Sequence, residues 1–136
     1  MLLWVSWLSF ILFFLAAVIH LGFFVFEAFL LRRPEMYKQL GYSAEEIRAL
    51  QPWALQRGIY NFCLALGVFV GLYLIFKKQI MVAGALVSLS GLTMVAGGIV
   101  FWFSSKTARP WALLQVLPPL LGFVFLIIHV LERIGG

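Results

Sequence analysis

The chain has no aspartate, a single cysteine and few charged residues of any kind. Only 11% of its 136 residues are charged, whereas 64% are hydrophobic. A soluble domain carries roughly 25% charged and about 45–50% apolar residues. A fold this short keeps much of its surface in water, so it could not hide so much apolar area. The solvent for most of the chain is therefore lipid. That excludes a cytosolic enzyme, a disordered tail and a disulfide-stapled secreted domain. Cys63 lies inside an apolar run and has no partner for an internal disulfide, so it reads as a small packing residue. One histidine and one glutamate in the first run do not make a metal site, and no cofactor motif is present. The apolar/polar alternation of a β-barrel is missing. No internal repeat stands out, which leaves an inverted-repeat transporter within one chain without support.

What the chain does have is four apolar runs. Among Asp, Glu, Lys, Arg and His, residues 1–31 contain only His20 and Glu27, residues 58–76 and 79–105 contain none, and residues 110–131 contain only His129. About 20 apolar residues cross the hydrocarbon core as a helix. The pattern predicts a single transmembrane domain over 1–136, an all-α integral membrane bundle of four helices at approximately 4–31, 52–76, 79–104 and 110–132. The first run lacks the basic start and small-residue cleavage site of a signal peptide, so it reads as a retained helix.

The net charge of +5 sits in loops between these runs, where it meets anionic head groups instead of nucleic acid. Arg32, Arg33, Lys38, Arg48, Arg57, Lys106 and Arg109 fall on one side, against Lys77, Lys78 and Arg133 on the other. The excess places the first and third loops in the cytoplasm and both termini outside. With no transit peptide, a bacterial inner membrane is the expected location. Pro34 ends the first helix. Ser43-Ala-Glu-Glu46 has capping-box spacing, which predicts a short cytoplasmic helix from Ala44, with Pro52 and Trp53 opening the second span at the interface.

Polar side chains in lipid are costly, by roughly 2.5–3.5 kcal/mol for a charge at mid-helix, so they carry the functional information. His20 and Glu27 are seven apart and share a helix face, separated by about 10 Å along the axis. Helices two and four enter from the side where helix one ends. Antiparallel threading therefore brings Glu27, Arg57, Tyr60, Asn61 and Gln115 to a similar depth. Ser90 and Thr93 descend to the level of His20. The aromatic residues Phe10, Phe13, Phe14 and Phe26 read as a lipid-facing surface. Gly67, Gly71, Gly84 and Gly91 recur at helical spacing and suggest close packing, within the chain or in a homo-oligomer. Pro118 and Pro119 remove backbone donors from the last helix and free carbonyls near Gln115.

These residues also carry a resemblance. His20-x6-Glu27-Ala28-Phe29-Leu30, then Pro34, then Leu40-Gly41-Tyr42-Ser43 resembles the opening of bacterial and fungal membrane proteins grouped as domain of unknown function 1304. Arg57-Gly58-Ile59-Tyr60-Asn61-Phe62-Cys63-Leu64-Ala65 is similar to the family's Q-G-x-Y-N-x-x-L-A signature. Gln115-x-x-Pro118-Pro119 resembles its Q-x-x-P-A pattern. Two positions depart: Arg57 stands where Gln is expected, with Gln56 one place earlier, and Pro119 replaces a small residue. The resemblance implies a compact four-helix membrane protein in which His20, Glu27, Tyr60, Asn61 and Gln115 belong together. It supplies no reaction.

Three functions remain open on the sequence. The first is binding or transport of a small amphiphile in a polar pocket of the cytoplasmic half, lined by His20, Glu27, Arg57, Tyr60, Asn61, Thr93 and Gln115. The second is a membrane-embedded acid–base enzyme acting on a lipid or isoprenoid, an isomerase or hydratase with His20 and Glu27 as proton donor and acceptor. The third is a structural or accessory subunit, in which Asn61 and Gln115 only join helices and Glu27 only pairs with Arg57 or Arg32.

Overall fold

The computed structural model describes residues 2–104 and 106–135; Met1, Ser105 and Gly136, inside the expected single domain, lie outside the described residues. Helix α1 (Leu2–Val25) continues without a break into a π-helical turn, Phe26–Leu30. A short helix α2 (Pro34–Gln39) comes next, then α3 (Ala44–Phe76), α4 (Ile80–Ser104), a 3-10 turn (Lys106–Ala108) and α5 (Arg109–Ile134). The described residues contain no strand, and four helices are long and apolar enough to cross a membrane. Helices suit lipid because each satisfies its own backbone hydrogen bonds.

Local chemistry sets the helix ends. Pro34 occupies the first turn of α2, where its missing N–H costs nothing. Gly41, at φ 82°, closes α2 in a Schellman motif, with Tyr42 N–H donating to the Tyr37 carbonyl at 2.9 Å. Lys78, at φ 58°, plays the same part after α3, and Gln79 N–H donates to the Leu74 carbonyl at 3.0 Å. The capping box at Ser43 is formed: Ser43 N–H donates to Glu46 Oε2 at 2.7 Å, and Glu46 N–H donates to Ser43 Oγ at 3.2 Å.

The short helix is not the one that this box starts. The helix from Ala44 runs on through Pro52 to Phe76 as a single rod, and the separate short helix is Pro34–Gln39. Pro52 removes only the hydrogen bond to the Arg48 carbonyl, one of an exposed first few turns where water can replace it.

Each long helix packs on two neighbours, in the cyclic order α1, α3, α4, α5 and back to α1. Phe13, Ala16, Ala17, Ala65, Val68, Leu72, Val87 and Met94 form the core. Phe13 is 2% exposed and therefore belongs to this core, in place of the lipid-facing surface expected for it. It fits there because the sites opposite are glycines: a Cβ added at Gly91 or Gly122 would lie 3.1 Å from the Phe13 ring. Phe123 meets it edge-on, with ring centroids 4.9 Å apart.

The glycine faces are likewise used within the chain. A Cβ on Gly67 would strike Ser90, one on Gly71 would lie 2.6 Å from Val87, and one on Gly91 would lie 2.9 Å from Phe123. Of the four glycines considered for a homo-oligomer surface, Gly84 alone opens on empty space. Helix α5 stays one helix across Pro118 and Pro119, both buried.

Candidate functional site

The ends of α1 and α4 meet the beginnings of α3 and α5 at the arginine-rich side of the bundle. Glu27 is held there by the π-helical turn, in which Leu31 N–H reaches back to the Phe26 carbonyl at 2.8 Å. Such a turn inserts one extra residue per loop and rotates the residues beyond it, and it occurs often at functional sites. Gly58 allows the close approach of α3: a Cβ there would sit 3.4 Å from Glu27 Cβ, from the Ala28 nitrogen and from the Phe24 carbonyl.

Across this contact, Arg57 Nε pairs with Glu27 Oε1, and Asn61 Nδ2 donates to Glu27 Oε2 at 3.0 Å. The Glu27 side chain is 8% exposed and that of Arg57 59% exposed, so the pair spans from the interior to the surface. The Arg57 guanidinium also lies 5.9 Å from the centre of the Phe101 ring. Beside the pair opens a cleft of about 290 Å³, lined by Phe23, Glu27, Arg57, Asn61, Gly97, Val100, Phe101, Ser104 and Gln115. Its walls are aromatic and aliphatic, and its polar groups converge from all four long helices.

The expected site residues thus divide. Glu27, Arg57, Asn61 and Gln115 come together. His20 does not join them. It is 0% exposed, its Nδ1 is hydrogen-bonded to the Ala16 carbonyl at 2.9 Å, its ring lies edge-on to Phe23, and its Nε2 has no hydrogen-bond partner among the described residues. Phe23, which its ring meets, lines the cleft, and His20 does not. Tyr60 is 60% exposed and turned away; its hydroxyl accepts from Gln56 Nε2 at 3.0 Å. Thr93 is exposed and donates to the Leu89 carbonyl of its own helix at 2.7 Å. Adjacent helix positions are rotated by about 100°, and Tyr60 stands that far round from Asn61.

The contribution of α4, expected from Thr93, comes instead from Gly97, Val100, Phe101 and Ser104. Phe101 and Ser104 lie at the end of its span, at the depth where α1 ends, the same level in the sequence that marks Arg57 and Gln115. Gly97 provides the cleft's floor, since a Cβ there would lie 3.1 Å from Gln115 Nε2. Among the described residues, no group of three or more His, Cys, Asp or Glu could hold a metal ion.

No curated protein and no solved structure matches the chain. A family model does, over residues 14–127, a stretch that contains every residue of the cleft. The chain belongs to the family described as protein of unknown function (DUF1304).

Proposed function

We propose that this protein binds and carries a small amphiphile, whose polar end sits in the cleft beside Glu27, Asn61 and Gln115 while its tail continues into the bilayer. The observation that supports this reading is the cleft itself: an apolar-walled space at the arginine-rich end of the bundle, with a buried carboxylate, two amides and a guanidinium converging on it. Ligand sites are built in this way, from mostly apolar walls and a few placed polar groups. An acid–base reaction shared by His20 and Glu27 has less support, because Glu27 alone of the two lines the cleft. The excess of Lys and Arg in the first and third loops supports a cytoplasmic position for the cleft, with both termini outside; a bacterial inner membrane is the location we propose.

The test is lipid mass spectrometry on protein purified in several detergents, with Gly97→Leu as the control that fills the cleft. An amphiphile retained by the native chain and lost from Gly97→Leu is the expected result. Equal retention by both, or none by either, would count against the proposal.

A further inference from the structure

The cleft is unequal in hydrogen-bond donors and acceptors. Both oxygens of Glu27 are engaged, one by Arg57 and one by Asn61. Arg57 reaches Glu27 through Nε, and a guanidinium carries five donors and no acceptor. Its terminal nitrogens therefore have donors to spare, at the exposed end of a side chain lying over the Phe101 wall. Gln115 adds an amide that forms no hydrogen bond among the described residues. The Ser104 hydroxyl is already donating to the Val100 carbonyl at 2.8 Å. In the two loops at that end of the bundle, Arg32, Arg33, Lys38, Arg48, Lys106 and Arg109 outnumber Glu35, Glu45 and Glu46, a net positive balance on the side where the cleft opens.

We propose, resting on the amphiphile-binding reading above, that the cleft takes an oxyanion head, a carboxylate or a phosphate monoester on a single chain, and that Arg57 recognises it while Glu27 competes for the same guanidinium. Two oxygens of such a head can lie side by side on the terminal nitrogens of Arg57, the geometry that arginine offers to carboxylates and phosphates. Nε need not leave Glu27. The Gln115 amide supplies a further donor from the opposite wall. Glu27 then has two effects. It fixes the guanidinium in place, and its negative charge behind the arginine weakens the hold on the anion, which favours release by a carrier. The volume of about 290 Å³ lies at the lower limit for ligand pockets, which suits a head group and its first few chain atoms.

The experiment uses the full chain in phosphatidylcholine nanodiscs and reads binding by native mass spectrometry. Its probes are dodecyl phosphate, laurate, dodecyltrimethylammonium, dodecanol and inorganic phosphate. Dodecyl phosphate or laurate is expected to bind in preference to the ammonium and the alcohol. Arg57→Gln and Gln115→Leu should each weaken that binding by about tenfold or more, and Glu27→Gln should tighten it by about tenfold. Arg57→Lys keeps a cation without the fork and should retain a weaker hold; thermal melting of each variant separates lost binding from lost fold. Preference for the ammonium or the alcohol, or weaker anion binding by Glu27→Gln, overturns the oxyanion assignment and leaves the amphiphile reading standing. Inorganic phosphate bound as tightly as dodecyl phosphate overturns the amphiphile reading and leaves the oxyanion assignment. Failure of every probe overturns both.

Discussion

Asn61 donates its amide hydrogen to Glu27 across 3.0 Å, from a helix running the opposite way and 34 residues further along the chain. That bond, together with the Arg57 pair, joins α1 to α3 and partners a carboxylate whose side chain is only 8% exposed.

Removing the partners of Glu27 should therefore cost more than neutralising Glu27 itself. Asn61→Ala leaves an enclosed carboxylate oxygen without its donor, at an expected cost of about 1–3 kcal/mol. Arg57→Met should cost a similar amount, below the figure for fully enclosed pairs because Arg57 is largely exposed. Glu27→Gln keeps an acceptor for Asn61 and should stay within about 1 kcal/mol. The double variant Glu27→Gln/Arg57→Met should be more stable than Arg57→Met alone. A double-mutant cycle in denaturant titrations measures this coupling, and an additive result would contradict it.

Glycines 71 and 84 lie on facing helices and should behave oppositely. Gly71→Ala brings a Cβ within 2.6 Å of Val87 and 3.1 Å of the Ala83 carbonyl, so α3 and α4 must separate. A loss of about 1–3 kcal/mol is expected. Gly84→Ala meets nothing within 4 Å and should be neutral or stabilising by up to about 1 kcal/mol, from helix propensity. Thermal melts of the two variants give the comparison directly.

The turn after α3 holds a lysine in the left-handed region. Lys78→Gly relieves that conformation and should raise stability by about 0.5–1 kcal/mol, whereas Gly41→Ala imposes it on α2 and should lower stability by about 1 kcal/mol. Equal and small effects in the melting curves would show that neither turn limits the fold.

His20→Leu exchanges a sealed ring with one unpartnered nitrogen for an apolar side chain of similar size. Stability should change by less than about 1.5 kcal/mol, and amphiphile binding should not change, since His20 lies outside the cleft. Loss of binding in a folded His20→Leu protein would return His20 to the site.

The spans were legible because charge is nearly absent from them and dense between them. The union of Glu27, Arg57, Asn61 and Gln115 was legible too, since alternating helix directions fix which ends share a level. Rotation about each helix was harder to read. Asn61 belongs to α3's buried series of Ala54, Gly58, Ala65 and Val68, but Tyr60 stands beside that series and faces outward. Thr93 turns its hydroxyl onto its own helix, an option open to any intrahelical threonine. The π-helical turn at Phe26–Leu30 left no mark in composition, because it depends on how α3 approaches at Gly58 and Asn61. Phe13 was misplaced for a related reason: a large aromatic becomes a core residue only when Gly91 and Gly122 leave room for it.

Helices α1 and α5 share an extensive interface, tied near its far end by the Ser9 hydroxyl on the Gly122 carbonyl at 2.9 Å. During translation α1 is threaded into the bilayer well before α5 emerges from the ribosome. Until then one flank of α1 faces acyl chains, and the gap that Gln115 will border has only three sides. Glu27 can already be neutralised by Arg57 once α3 has entered, so the nascent chain need not wait with a bare carboxylate in oil. Completion of the recess falls to α5, which enters after the other three walls.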